Sequence, residues 1–314
     1  MSIRTYTPGD DIAQASIYNE AAAALPRFKP VTLDELRRRL RGPDFDPSTR
    51  FFAVEAGRPV GYATFHANGR VSYPWHRKGR ERWAEPLLDA ALSEMRRRGL
   101  PSAFAAYRFD WPAPCEFFLG HGFRQAREMV NFVMELTDMP TPSARPGTAV
   151  EPLTPADLPA VLALAPRAFR ARAAAGLERH LLNNPYFPPE SVRVLRGRAG
   201  AAPVGMRVLV QNPAYADPHA LDAAMPCFRL GAVGTEGMQT KRVHGLFSFA
   251  AAEGRDVGAV GLDLLSEAAL RLEESDASAL AAQAPSDAPH LLRFYEQYFR
   301  RQGSFPVFER PLTM

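Results

Sequence analysis

A glycine-spaced turn stands directly before an apolar periodic run in the stretch EGRDVGAVGLDLLSEAALRLEES, residues 253–275. A small-residue turn that enters a helix leaves backbone N–H groups without partners, and the helix dipole favours an anion beside them. The stretch lacks the Lys-Ser/Thr ending of a P-loop and the close Gly-x-Gly-x-x-Gly spacing of a dinucleotide fingerprint. It therefore predicts either another kind of anion-binding turn or an ordinary turn before a core helix.

Length and composition exclude several classes of protein. The 314 residues are enough for two domains, the start MSIRTYTPGDD has no signal-peptide pattern, and no apolar run is long enough to span a bilayer. We therefore expect a cytoplasmic protein without a membrane segment. Cys115 and Cys227 stand apart from each other and from any regular His spacing, which predicts neither a disulfide framework nor a metal site.

The net charge of +4 raises the question of nucleic-acid binding. The cations are nearly all arginine, and they lie among carboxylates on predicted helix faces such as 36–41 and 95–99. No aromatic residues are interleaved with them. This pattern indicates solvated helix surfaces, and no nucleic-acid partner is expected.

The chain repeats itself. VEPLTPADLPAV at 150–161 is similar to IRTYTPGDDIAQ at 3–14, and AAPVGMRVL at 201–209 is similar to GRPVGYATF at 57–65. Two further matches share one common offset: LLSEAA at 264–269 with LLDAAL at 87–92, and FYEQYFR at 294–300 with FFLGHGF at 117–123. Equal offsets for two weak matches indicate a tandem duplication, with an insertion in the second copy at about 212–243.

The duplication predicts an N-terminal domain over 1–137, a Pro/Ser/Thr-rich linker over 138–149 and a C-terminal domain over 150–314. Each copy is expected to be a mixed α/β unit, in which an antiparallel meander precedes a β–α–β crossover. The elements expected in the first copy are a strand at 2–6, helices at 10–24 and 32–41, a hairpin across 50–66, a strand at 69–74, a helix at 84–98 ending at Gly99, a strand at 102–107, a short helix at 112–120 and a strand at 127–136.

This order of elements resembles the GNAT superfamily of acyl-CoA-dependent N-acyltransferases, over nearly the whole chain. The resemblance implies two tandem GNAT-like domains, each a mixed central sheet flanked by helices. The family signature is Gln/Arg-x-x-Gly-x-Gly/Ala at the start of a helix, and Arg255-Asp-Val-Gly258 supplies its first part, with Val260 where a small residue is usual. The resemblance implies acetyl-CoA as acyl donor, its pyrophosphate held by the turn. The implied cofactor-binding residues are Phe249, Ala250, Ala251, Arg255, Asp256, Val257, Gly258, Ala259, Val260 and Gly261.

The common offset places Glu81-Arg-Trp83 where the second copy has Gly258-Ala-Val260. Large side chains would obstruct a close approach of the backbone to a pyrophosphate. We therefore expect a degenerate CoA loop in the N-terminal domain, although its cations could still bind a phosphate by charge.

The resemblance also implies a general acid. The family commonly places a tyrosine near the CoA sulfur on the short helix before the last strand, where the second copy has Phe294-Tyr295 and the first has Phe117-Phe118. Tyr295 is then the expected acid, the alternative being a packed aromatic. Glu236 and His244 are candidate bases on or beside the strands of the acceptor cleft. A surface carboxylate and a strand histidine with a structural role are the other interpretations.

The sequence thus predicts an N-acetyltransferase that moves an acetyl group from acetyl-CoA to a primary amine of a small acceptor by direct attack. The active site is expected in the C-terminal half, and no metal is expected to take part. The alternative is a non-catalytic CoA-binding or regulatory protein in which both copies have lost activity.

Overall fold

The computed structural model divides the chain into two compact units, unit 1 (Met1–Glu128 and Phe305–Met314) and unit 2 (Met129–Ser304). Within the described residues, no helix is both long and apolar enough to cross a membrane. The residues that the structure describes are 2–26, 28, 30–40, 45–140, 148–164, 174–183, 189–211, 243–272 and 279–312.

The N-terminal half follows the predicted order closely. Its elements are β1 (Ser2–Thr5), α1 (Asp10–Ala22), α2 (Leu33–Leu40), β2 (Arg50–Glu55), β3 (Arg58–Thr64), β4 (Trp75–His76), α3 (Ala84–Arg97), β5 (Ser102–Ala106), α4 (Pro112–Gly120) and β6 (Arg124–Glu135). Strands β1 to β4 form an antiparallel sheet in chain order. The predicted hairpin is confirmed: β2 and β3 are joined at Ala56 and Gly57, whose φ angles of 47° and 77° suit a two-residue hairpin turn.

The strand expected at 69–74 is the main difference in this half. Only single bridges form there, between Phe65 and Val71 and between Arg70 and Phe104, and the regular strand β4 begins later. The reason is local: the side-chain oxygen of Ser72 accepts the N–H of Thr64 at 2.9 Å, in place of a regular ladder partner. The segment therefore changes partners along its length.

The C-terminal half repeats the arrangement. Its elements are β7 (Ala149–Pro152), α5 (Leu158–Leu164), α6 (Ala174–Leu181), β8 (Val192–Arg196), β9 (Pro203–Gln211), β10 (Val243–Ala251), α7 (Val257–Leu272), β11 (Ala279–Pro285), α8 (Pro289–Tyr298) and β12 (Arg300–Pro311). In unit 2 the strand order is β6-β11-β10-β9-β8-β7, and β10 and β11 are its parallel neighbours. Apart from Val243, where β10 begins, the predicted insertion lies outside the described residues.

The observed elements bear out the mixed α/β fold and the tandem repeat. The starts of β11 and α8 follow those of β5 and α4 at the same offset that the two sequence matches share. The shared Thr-Pro-x-Asp motif has the same hydrogen bonds in both copies. The Asp10 carboxylate accepts the N–H and hydroxyl of Thr7 at 2.7 and 3.1 Å, and Asp157 accepts those of Thr154 at 3.0 and 2.8 Å.

Each unit takes one strand segment from the other half of the chain. In unit 2, residues 129–135 of β6 pair with β11, and in unit 1, residues 307–311 of β12 pair with β5. The compact units therefore do not coincide with the two halves of the sequence. The division into an N-terminal domain over 1–137, a linker over 138–149 and a C-terminal domain over 150–314 stays a prediction.

Helices cover both faces of the unit 2 sheet. On the face that we call the α5–α6 face, Leu158, Val161 and Leu177 pack against Met206 and Val208. The opposite face, which we call the α7–α8 face, carries a larger apolar cluster, with Leu264, Leu265, Ala268 and Leu272 from α7 and Phe132, Leu209, Phe247 and Phe249 from the sheet. The helical spacing of the α7 residues forms the apolar stripe that buries this helix.

Candidate active site

Strands β10 and β11 separate part of the way along unit 2. Their parallel pairing joins Val243, Gly245 and Leu246 to residues 279–281, whereas β10 remains paired with β9 as far as Ala251. Within these two described strands, no register pair joins residues 247–251 to β11. Backbone groups of β10 on that side are therefore available to other partners, and we call this opening the β10–β11 gap.

The Tyr295 hydroxyl takes one of these backbone groups. The N–H of Phe249 donates to it, and the side chain of Ser248 hydrogen-bonds to it as well. The ring is 1% exposed and stacks on Phe132, with centroids 5.4 Å apart and planes at 22°. Burial raises the pKa of the phenol above its ordinary value, while both hydrogen bonds act to lower it. Tyr295 thus stays protonated near neutral pH and can donate a proton.

The turn before α7 binds an anion supplied by the chain itself. The carboxylate of Asp256 accepts the N–H of Ala259 at 3.1 Å, and the carbonyl of Asp256 accepts the N–H of Val260 at 3.0 Å. A Cβ built on Gly258 would meet, within 4 Å, only the Oδ1 atom of Asp256. The helix N-terminus is therefore open beside Gly258 and suited to negative charge.

Two of the implied cofactor-binding residues, Val260 and Gly261, face the core instead. A Cβ on Gly261 would lie 2.6 Å from Cζ of Phe249 and 2.7 Å from Cε2 of Phe294, and Val260 is buried. Gly261 thus has a packing reason to lack a side chain. Arg255, Asp256 and Gly258 are exposed, and Val257 and Ala259 are half-buried.

The other predicted site residues differ in where they lie relative to the β10–β11 gap. Phe249 is buried on the α7–α8 face, so its backbone and not its ring adjoins the gap, and Ala250 and Ala251 follow it on β10 as far as the end of the strand. His244 lies at an irregularity of β10, where the pairing with β11 shifts between Val243 and Gly245. Glu236 lies outside the described residues. The assignment of a base stays a prediction.

Unit 1 has a tyrosine that the sequence comparison missed. The N–H of Tyr73 donates to the hydroxyl of Tyr107 at 2.5 Å, close to where residues 69–71 bridge to β5. Phe118, at the position equivalent to Tyr295, stacks on Tyr107 with centroids 5.9 Å apart. Burial raises the pKa of Tyr107 to about 12. The repeat itself contained a sign of this tyrosine. The common offset aligns Tyr107 with Ala284 of the second copy, so only the first copy has a hydroxyl at this position.

The equivalent turn of unit 1 is occupied by its own charges. Glu55 on β2 accepts the indole N–H of Trp83 at 2.5 Å and pairs with Arg80 and Arg82 at 2.9 and 2.5 Å. The N–H of Gly79 donates to the Glu81 carboxylate at 2.9 Å. Two of the cations at this turn, Arg80 and Arg82, are therefore already paired, and a carboxylate contacts the turn.

No protein-family model matches the sequence, and no curated protein matches it. Solved structures are similar in fold. A GCN5-related N-acetyltransferase from Sphaerobacter thermophilus has a TM-score of 0.62 at 14% identity, covering 100% of this chain and 96% of that one. A tandem GNAT protein from the clavulanic acid biosynthesis pathway has a TM-score of 0.58 at 16% identity, covering 100% of this chain and 99% of that one.

A third similar structure is the glucosamine N-acetyltransferase region of a fungal multi-domain GH3 β-N-acetylglucosaminidase. Its TM-score is 0.68 at 13% identity, and the match covers 98% of this chain but 38% of that one. Identities this low concern the fold alone. The chain has the fold of the GCN5-related N-acetyltransferases, in its tandem form.

Proposed function

We propose that the chain is an acyl-CoA-dependent N-acetyltransferase that acetylates a primary amine, with its working site in unit 2. The observation that carries this proposal is the Tyr295 hydroxyl in the β10–β11 gap, hydrogen-bonded to the backbone N–H of Phe249. Acyl transfer from a thioester is accelerated by a donor to the oxygen and a proton source for the sulfur, and here a backbone N–H and a phenol lie side by side.

The residues present fit an anionic acyl donor. The N-terminal turn of α7 already holds a carboxylate, that of Asp256, and has open space beside Gly258. Bound acetyl-CoA would supply the activated acetyl group, with Gly258 and its neighbours holding the pyrophosphate. Displacement of the Asp256 side chain from the Ala259 N–H would free that donor for a phosphate oxygen.

Two groups of this chain would act on the thioester in the gap. Once the Tyr295 hydroxyl releases it, the N–H of Phe249 would stabilise the oxyanion that forms when the amine attacks, an effect of a few kcal/mol for a preorganised donor. Tyr295 would protonate the departing thiolate, which is worth roughly a hundredfold or more in rate. His244 and Glu236 remain the proposed bases for the amine, acting directly or through water.

Calorimetric titration with acetyl-CoA is the first test, followed by a screen of amines that detects free thiol. Binding in the micromolar range with thiol release on at least one amine supports the proposal. Binding without turnover on a broad panel would favour the non-catalytic alternative. No binding would exclude both.

Paired variants locate the site. Gly258→Trp should abolish acetyl-CoA binding, because the indole would cover the turn amides. Trp83→Ala in unit 1 is the matched change at the equivalent turn and should leave binding nearly unchanged. A larger loss of affinity in Trp83→Ala than in Gly258→Trp would assign the site to unit 1.

Tyr295→Phe tests the proton donor. It removes one oxygen and keeps the stacked ring, so we expect acetyl-CoA affinity to be nearly unchanged and turnover to fall by roughly tenfold to a thousandfold. Turnover equal to that of the unmodified protein at every pH would make Tyr295 a packing residue.

A further inference from the structure

The side chains of Ser248 and Tyr295 belong to opposite faces of the unit 2 sheet. Ser248 stands opposite Val208 in the antiparallel β9–β10 pair, and directly opposed residues share a face. Val208 packs on the α5–α6 face, whereas the Tyr295 ring packs with Phe132 on the α7–α8 face. Their hydroxyls nevertheless hydrogen-bond to each other. The contact therefore passes through the β10–β11 gap.

Exposure differs between the two hydroxyl-bearing residues. Tyr295 is almost completely buried, whereas Ser248 is half-buried. A serine hydroxyl has one proton to donate and two lone pairs that accept, so it can take up one proton while giving another. Ser248 is thus the group through which the buried phenol can exchange protons with the α5–α6 face.

We propose that Ser248 relays the proton of the acceptor amine to Tyr295, from the α5–α6 face through the β10–β11 gap. The inference rests on the proposed acetyltransferase activity and adds to it a path for the proton. It makes Ser248 a second participant in proton transfer, one that the sequence comparison did not single out.

The step starts from the neutral amine, after His244 or Glu236 has taken the first proton of the ammonium form, and from there it needs no further acid or base. The amine nitrogen forms its bond to the acetyl carbon, and the bond from that carbon to sulfur breaks. The nitrogen gives a proton to Oγ of Ser248, Ser248 gives its own proton to the Tyr295 oxygen, and Tyr295 gives its proton to the sulfur. Both hydroxyls end with one proton each, and the net transfer is from nitrogen to sulfur.

Ser248→Ala tests the relay in the full chain, with Ser266→Ala as the matched control. Ser266 is buried on α7, and its hydroxyl has no hydrogen-bond partner among the described residues. We expect Ser248→Ala to lower kcat by roughly a hundredfold, the lower end of the range for a positioned proton-transfer group. Its KM for acetyl-CoA and its Tm should stay near those of Ser266→Ala. Ser248→Thr keeps a hydroxyl and should recover most of the turnover.

Two readouts separate a relay from a structural role. The rate is measured in mixtures of H2O and D2O and plotted against the deuterium fraction. The plot should be curved for the unmodified protein, because several protons move in the step, and closer to a straight line for Ser248→Ala. The hydrogen bond that the Tyr295 phenol accepts from Ser248 should be lost in Ser248→Ala, and the infrared band of the phenol, isolated by difference against Tyr295→Phe, should shift accordingly. That measurement needs no enzymatic activity.

Several results would overturn the relay. Unchanged kcat in Ser248→Ala would do so, as would an unchanged deuterium curve, an unchanged infrared band of the Tyr295 phenol, or a loss of Tm that accounts for the lost activity. Failure of the relay alone would leave acetyl-CoA binding and the Tyr295→Phe effect intact. If the unmodified protein neither binds acetyl-CoA nor releases thiol, the proposed function fails, and the relay fails with it.

Discussion

Replacing Gly261 with alanine tests whether this glycine serves packing or cofactor binding. The new Cβ would lie 2.6 Å from Cζ of Phe249 and 2.7 Å from Cε2 of Phe294. Carbon atoms normally approach to about 3.5–4.0 Å, so both rings would have to move by about 1 Å. Overpacking of this kind costs about 1–3 kcal/mol, whereas alanine is up to about 1 kcal/mol better than glycine inside a helix.

We therefore expect Gly261→Ala to lower the free energy of unfolding by about 1–2 kcal/mol, or to lower Tm by roughly 2–8 °C. The control is Gly258→Ala, whose Cβ would meet only Oδ1 of Asp256 at 3.3 Å, the end of a flexible side chain. Its stability should be unchanged or slightly raised. Urea denaturation followed by circular dichroism measures both, and equal midpoints for the two variants would refute the packing explanation.

Three further predictions concern the stability of the two units. Glu267→Ala should lower the free energy of unfolding by about 3–5 kcal/mol, because Arg207 is fully buried and donates to Glu267 at 2.6 Å. A decrease below about 1 kcal/mol in urea denaturation would contradict this. Burial raises the pKa of Asp157, but hydrogen bonds, chiefly from Arg196, leave that pKa below its ordinary value. The free energy of unfolding lost in Asp157→Asn should therefore be constant above about pH 5 and shrink as pH falls below about 4. A loss independent of pH would argue against the ion pair. Deleting residues 305–314 should expose the amides of β5 to hydrogen exchange, and continued protection there would contradict the observed pairing.

Local signals in the sequence predicted most elements of the fold. The hairpin across 50–66, the helix end at Gly99 with φ of 69°, and the short helix at 112–120 depend on neighbours in sequence, and the structure has all three. The repeat then carried these assignments from one copy to the other. Its offsets gave the starts of β11 and α8, because duplicated elements keep their spacing unless residues are inserted.

Contacts between distant residues were beyond sequence reasoning. Glu55 lies far before Trp83 in the chain, and nothing in its surroundings indicates that it gathers the side chains of the later turn. Gly261 fits the family signature and a tight contact with two phenylalanines equally well, and the contact becomes visible only in the folded structure. The sequence also does not determine which strand pairs with the last strand of each copy. Strands β6 and β12 could each pair with β5 or with β11, because β5 and β11 are equivalent in the two copies.

The pairing of residues 305–314 with unit 1 also sets an order for folding during synthesis. The sequence of unit 1 is interrupted by the whole of unit 2, from Met129 to Ser304. At about 5–20 residues per second, a ribosome needs roughly 10–35 s to add that stretch. Throughout that time the edge of β5 that later receives β12 has no partner of its own, and an unpaired strand edge is a site for association with other chains. The nascent N-terminal half therefore carries an exposed strand edge until residues 305–314 have been made.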